Sequence, residues 1–404
     1  MIEVDARLQR RALLAIAGSQ LLALTLWFSA SAVAPQLSEV WRLSSGETAW
    51  LTLSVQVGFV VGALSLAILN VADIVPSRRL FFRSAIIGLS ANAALVLLGP
   101  GDFTWAVLFR FTTGAALAGV YPAGLKVMAG WFNRGRGMAL GVLVGALTIG
   151  SAGPHLIRGM GFDWQGVVLT ASGLALVAAV LMAVTVSDGP FEVPAPQFSW
   201  RQVGRVVRNR GYRLSTFGYL GHMWELYAMW TWTAAYLAAS STAADRPYVS
   251  ASLVTFFVIA AGGPGAWWAG VLADRYGRTL VAGSSMAISG SCALLSAAVF
   301  GRPAPIVIPV FLIWGFTVVA DSAQFSTMAT ETADAEVRGT SLALQTAVGF
   351  LLTLVTIRGV PILVEAWGWR WAFPWLALGP AFGVGAMVRL RNSPARALLA
   401  GGKG

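Results

Sequence analysis

Four ionisable side chains stand where charge is expensive. Arg110, His222, Glu225 and Asp321 each lie inside a long apolar stretch of the 404-residue chain. An ionisable group surrounded by hydrocarbon is costly, so it marks function by default. Glu225 is the strongest candidate for a proton carrier, because apolar surroundings disfavour its charged form and allow it to load and release a proton. His222 precedes it by three residues and shares its helix face. It can tune that exchange or share the proton; the plain alternative is a structural Glu225–His222 pair. Asp321 is a second candidate carrier or a substrate contact. Arg110 either binds an anionic group or steers a carboxylate in a proton relay; its plain reading is a permanent ion pair.

Other chemistry is poorly provided for. One cysteine, Cys292, excludes an intrachain disulfide and any multi-cysteine metal site. With two histidines and no nucleophile–base set, the chain does not read as an enzyme, and no cofactor or metal is expected.

The elements that hold these residues are membrane spans. Hydrophobic residues make up 57% of the chain and charged residues 11%, far below the charged share of a soluble domain. About 20 apolar residues cross a bilayer, and twelve such runs occur, over 12–34, 48–70, 81–99, 104–128, 137–159, 166–186, 214–239, 249–272, 279–299, 305–328, 339–364 and 371–389. The fold expected is therefore an all-α integral membrane protein of twelve transmembrane helices. Residues 1–187 form an N-terminal six-helix bundle and 214–404 a C-terminal one with a short tail. The linker, 188–213, carries Pro190, Pro194 and Pro196 followed by a basic stretch.

A net charge of +11 could suggest nucleic acid, but the basic residues sit between the apolar runs. With both termini and the linker on one side, that side collects 21 of the 28 Lys and Arg residues, among them Arg78, Arg134, Arg136, Arg205 and Arg338. The opposite side holds Arg42, Arg158, Arg246, Arg302, Arg358 and Arg370. The richer side is cytoplasmic, which predicts a multi-pass protein of the inner membrane with both termini inside. Ala30-Ser31-Ala32 after three arginines could mark a cleaved signal; the counterpart of this run in the second half argues for a retained helix.

The halves repeat at an offset near 201. Val71-Ala72-Asp73 matches Leu272-Ala273-Asp274, Arg136-Gly137 matches Arg338-Gly339, Ile157-Arg158-Gly159 matches Ile357-Arg358-Gly359, and Trp27 can be laid on Trp230. Parallel six-helix repeats describe one transporter architecture. Gly270-Val271-Leu272-Ala273-Asp274-Arg275-Tyr276-Gly277-Arg278 resembles the G-x-L-x-D-R-x-G-R loop of the major facilitator superfamily, between spans 8 and 9. The first copy, from Asp73 to Arg79, keeps the Asp and the basic end only. Arg110 to Gly114 resembles the R-x-x-x-G element of span 4, and Trp131-Phe132 with Arg136 to Gly141 resembles the 4–5 loop. The resemblance covers essentially the whole chain and implies two pseudo-symmetric halves and secondary transport by alternating access, with spans 1, 4, 7 and 10 lining a central cavity.

Under that resemblance Asp274, Arg275 and Arg278, with Asp73 in the first copy, are expected to form charge-assisted gate bonds. Ordinary positive-inside decoration is the alternative. Gly141, Gly150, Gly153 and Pro154 resemble the glycine-rich antiporter motif of drug-efflux members with one spacing broken; generic helix packing is the alternative. Substrate contacts are expected from Trp27, Gln56, Arg110, Tyr121, Trp224, Tyr227, Trp230, Asp321, Gln324 and Gln345, rings for packing and amides for orientation. The repeated Arg158 and Arg358 could draw anions or pair with Asp163 and Glu365 to close the outer mouth, or simply snorkel.

The function expected is a proton-coupled secondary transporter of a small organic solute, anionic if the arginines bind it. The alternatives are a multidrug-type proton antiporter and, from another class, a non-transporting membrane sensor with the same fold. The expected partners are a small-molecule substrate, the proton and the lipid bilayer, with no nucleic acid. The working unit is expected to be a monomer.

Overall fold

The computed structural model describes residues 5–132, 136–191, 199–244, 248 and 250–404; of these, the side chains of Ala72, Asp73, Arg136 and Gly137 are not described. The expected first gate residue Asp73 is therefore outside the described side chains. Arg134, Arg246, Pro194 and Pro196, used above for topology, lie outside the described residues, as does the side chain of Arg136. The described residues contain no strand.

Twelve long helical segments follow one another. They are α1 (Ala6–Leu24), α2 (Ser45–Ile68), α3 (Ser77–Ala94), α4 (Phe103–Leu117 and Tyr121–Trp131), α5 (Arg136–Gly159) and α6 (Trp164–Thr185), then α7 (Arg210–Ala243), α8 (Ala251–Ala260 and Gly262–Tyr276), α9 (Arg278–Val299), α10 (Ala304–Ala320 and Ser322–Thr332), α11 (Arg338–Trp367) and α12 (Leu378–Arg391). Among the described residues, ten of them are long and apolar enough to cross a membrane. The other two fall short for local reasons. Arg7, Arg10 and Arg11 crowd the start of α1, and α7 is rich in Trp, Tyr and polar residues.

Several of the expected spans are interrupted, the last of them at Pro374, and most of the breaks have a cause in the sequence. The expected continuous span 12–34 is not one helix: α1 ends at Leu24, a turn follows, and Ser31–Val33 and Ala34–Trp41 are separate short helices. Thr25 and Ser29 turn their hydroxyls back onto the carbonyls of Leu22 and Leu26, and side chain–backbone bonding of this kind competes with the helix ladder. Pro122 splits α4, because it has no N–H to continue the first half. The Gly262-Gly263-Pro264 run splits α8, and α10 breaks at Asp321.

The chain divides into two compact units, Met1–Ala195 and Pro196–Gly404. That boundary falls inside the segment read as linker. From Ser199 onward the linker belongs to the second unit: Ser199 N–H donates to Thr340 Oγ1 at 3.1 Å, and Arg205 pairs with Asp334 at 2.7 Å and Glu336 at 3.0 Å. Hydrogen bonds from Arg205 to Glu336 and to Asp334 hold its guanidinium above the ordinary arginine value.

Each unit repeats one packing device. In the first, a methyl group at Gly58 of α2 would sit on the carbonyl oxygen of Phe111 in α4, and one at Gly114 on that of Val55. In the second, Gly265 of α8 faces the carbonyl of Phe316 in α10, and Gly315 faces that of Val258. The two helix pairs approach to backbone contact through small residues, as membrane helices do where close van der Waals packing must hold them.

Candidate functional site

Glu225 lies in the body of α7, 15 residues from its first residue and 18 from its last, and is 1% exposed. Two neutral donors hold its carboxyl group. Trp314 Nε1 of α10 donates to Oε1 at 2.8 Å, and Ser289 Oγ of α9 lies 2.8 Å from Oε2. Both donors are themselves buried. Among the described residues the group thus has two hydrogen bonds and no counter-charge.

His222 does not pair with Glu225. Its Nδ1 lies 2.7 Å from Asp321 Oδ1, although the two are not aligned as a hydrogen bond, and Nε2 has no hydrogen-bond partner among the described residues. Tyr219 and Phe325 flank the imidazole, with ring centroids 6.0 and 5.6 Å away. Asp321 is 2% exposed and sits at the break in α10, at the start of an eleven-residue half-helix. That is a favourable place for a negative charge, since the free N–H groups there carry partial positive charge. The three groups therefore form an Asp321–His222 pair with Glu225 one turn further along α7.

Arg110 is fully buried and, among the described residues, sits at neither end of an ion pair. Its Nε donates to Leu51 O (3.2 Å) and Nη2 to Trp27 O (2.6 Å). Its Nη1 serves Leu26 O, Ser29 Oγ and Asn92 Oδ1 at 3.1, 3.0 and 2.9 Å. All five acceptors are neutral, so neither the expected permanent ion pair nor the steering of a carboxylate is what the geometry presents. The guanidinium caps carbonyls freed by the break after α1 and ties that break to α2 and α3. Cations suit helix C-terminal carbonyls. Holding an anion with Arg110 would require these bonds to open. Asn92 extends the cluster to α6 through Val168 O and Ser172 Oγ.

The loop between α8 and α9 turns on Gly277, whose φ of +98° favours glycine. Asp274 is 75% exposed and stands 3.5 Å from Arg278, while Arg275 lies over the ring of Tyr276. The stronger partner of Arg278 is one the sequence did not single out: Glu331 at the end of α10, at 2.9 Å, with Gln324 Oε1 at 3.1 Å. Residues 400–403 join this cluster, as Ala400 N–H donates to Glu331 and Lys403 Nζ to Asp274 O.

The remaining expected contacts are mixed. Trp27 and Trp230 are buried, with Trp27 against Phe59 and Trp230 against Tyr227. Trp224 is half-buried and stacks edge-on with Trp375, Gln345 reaches Thr216, and Tyr121 is half-buried. Gln56 is buried with no hydrogen-bond partner for its amide among the described residues. Gln20 and His155 share that condition and were not selected from sequence, although an ionisable residue inside a span should have flagged His155. On α5, Gly150 lies against Leu21 of α1 and Gly153 against Thr25 in the turn just after it, as in close helix packing; Gly141 has open space. Arg158 donates to Phe162 O at 2.7 Å while Asp163 caps α6 through Gly166 N–H, so those two do not pair; Arg358 is half-buried on α11.

Twelve long helical segments in two repeated six-helix units, ten of them apolar enough to cross a membrane, with ionisable groups buried inside them, define the class of multi-pass membrane transporters. The family is then shown directly. The Major Facilitator Superfamily model matches residues 16–357, and the chain belongs to that family of secondary transporters. Among solved structures, the chain is similar to the nucleoside transporter NupG at 14% identity and a TM-score of 0.70, covering 94% of this chain and 99% of that one. It is also similar to a bacterial homologue of the human lysosomal transporter Spinster at 14% identity and a TM-score of 0.68, covering 99% and 98%. No curated protein matches the sequence. At such identities the likeness speaks for the fold.

Proposed function

We propose that this transporter is coupled to protons and moves a small organic solute by alternating access, with Glu225 as the proton carrier and the Asp321–His222 pair as its neighbour in the relay. The observation that carries this is the carboxyl group of Glu225: buried in mid-helix, bonded to Trp314 and Ser289, and without a basic partner among the described residues. A permanently ionised carboxylate would bear the full cost of burial there at all times, whereas a group that is neutral for part of the cycle bears it only while charged. Trp27, Gln56, Tyr121, Trp224, Tyr227, Trp230, Gln324 and Gln345 remain the proposed substrate contacts, with Asp73, Asp274, Arg275 and Arg278 in gating and Arg158 and Arg358 at the opposite ends of the spans. The anionic character of the solute loses its main support, since Arg110 spends its donors on neutral acceptors. The lopsided Lys and Arg distribution supports an inner-membrane location with both termini cytoplasmic.

The test uses proteoliposomes and a substrate found by thermal-shift screening, where binding stabilises by mass action. E225Q should abolish uptake driven by a pH gradient and preserve counterflow exchange. A full response of E225Q to the gradient would overturn the assignment.

A further inference from the structure

Ser289 has two possible partners and one proton. Its Oγ lies 2.8 Å from Glu225 Oε2 and 3.2 Å from the carbonyl oxygen of Met286. A hydroxyl can donate only once, but it can also accept. Trp314 Nε1 can only donate, so Glu225 Oε1 must accept in every state of the site. An acid proton on Oε1 would face the indole N–H, which cannot accept, whereas on Oε2 it faces Ser289 Oγ, which can, so the proton of neutral Glu225 belongs on Oε2.

We propose that Ser289 is a positioning residue for proton coupling, a hydroxyl that reverses its direction as Glu225 gains and loses its proton. With Glu225 ionised, Ser289 donates to Oε2. With Glu225 neutral, Oε2–H donates to Ser289 Oγ, and Ser289 donates to Met286 O. Both states leave every polar atom of the site bonded, with no movement of heavy atoms. No other arrangement of these three donors and acceptors does so, because the indole cannot reverse. The inference rests on the proposed role of Glu225 and adds the group that makes both of its states tolerable.

Other ionisable groups near Glu225 are few. His222 is one turn away on α7, Asp321 lies on α10, and Cys292 on α9; the last two feel the charge on Glu225 or contribute to its field. Also packed on α7 are α8, α11 and α12, with the short segments Val203–Arg208, Trp369–Ala372 and Pro394–Leu398, which carry Arg205, Arg208, Arg370 and Arg396. The first half of α8 (Ala251–Ala260) carries no ionisable group, and in α12 the first is Arg389; α11 brings Arg338, Arg358 and Glu365 only at or beyond its middle and ends.

The experiment is infrared difference spectroscopy of the purified full-length protein in lipid across a pH series. The Glu225 carboxylic C=O band is assigned by its loss in E225Q. S289A should raise that frequency, because the acid loses its acceptor. It should also move the pH at which the band disappears upward by about one unit, since a bond to a charged group exceeds a neutral one by about 1.4 kcal/mol. S289T, which keeps the hydroxyl, should restore both values. S289A that leaves frequency and midpoint unchanged overturns the role of Ser289 while Glu225 coupling stands. A moved band with pH-driven uptake intact in E225Q keeps Ser289 as a positioning group and overturns the coupling reading. Absence of a Glu225 band at every pH overturns both.

Discussion

Replacing Arg110 by lysine separates two uses of a buried cation. The guanidinium spreads its donors along three edges: Nε to Leu51, Nη2 to Trp27, and Nη1 to the cluster of Leu26, Ser29 and Asn92. An ammonium is a compact point charge with three donors. It can keep the Nη1 cluster but cannot reach the two outer carbonyls at the same time. Two charge-assisted bonds are then lost, each worth about 1.5–3 kcal/mol, for a total of about 3–6 kcal/mol. In a unit of this size that corresponds to a fall in Tm on the order of 10 °C. N92A should give a smaller loss of the same kind, because it removes one acceptor of Arg110 and two bonds to α6. The assay is thermal unfolding in detergent without substrate, followed by uptake in proteoliposomes. If R110K keeps the parent Tm within 1 °C while uptake is lost, Arg110 is a ligand-binding group and the clasp argument fails.

Two further substitutions read helix packing and the gate. G58A should destabilise by about 1–3 kcal/mol, because the added methyl meets the Phe111 carbonyl and α2 must back away from α4. G141A, with open space around it, should be neutral or raise Tm slightly through its better helix propensity; equal effects from the two would refute backbone contact as the reason for Gly58. At the loop between α8 and α9, E331Q should shift the accessibility of cysteines placed beside Arg278 more than D274N does. Glu331 is a half-buried partner at 2.9 Å, and Asp274 is an exposed one at 3.5 Å, where a pair is worth under about 1 kcal/mol. A larger shift in D274N would return the gate to the motif aspartate.

Much of the fold could be read along the chain because it is written in periods and lengths. Apolar runs long enough to span, the offset near 201, and the Asp274 to Arg278 loop are all local in sequence. So is the selection of Glu225 and Asp321, since burial of a carboxylate follows from the length of the apolar run around it. Pairing could not be read in the same way. His222 shares a helix face with Glu225, which made that pair the natural expectation, yet the break in α10 brings Asp321 within 2.7 Å instead. Ser289, Trp314 and Glu331 gave no signal, because a serine, a tryptophan and a helix-end glutamate are each common in such runs. The interruption after Leu24 was also hidden, since the hydropathy of residues 12–34 is continuous and only the hydroxyls and Arg110 divert the carbonyls.

The sequence by itself determined that this chain lives in a bilayer, that it carries two six-helix units, and that a handful of ionisable residues must be accommodated inside them. These follow from the cost of exposing polar backbone and charge to hydrocarbon, a cost that depends only on composition and order. The tertiary structure alone decided what each buried group does. Hydrogen bonds act over about 3 Å, so a residue's partner is set by which helix lies against it and at what rotation. That is why Arg110 became a clasp for a broken helix, and why Glu225 came to rest between a tryptophan and a serine.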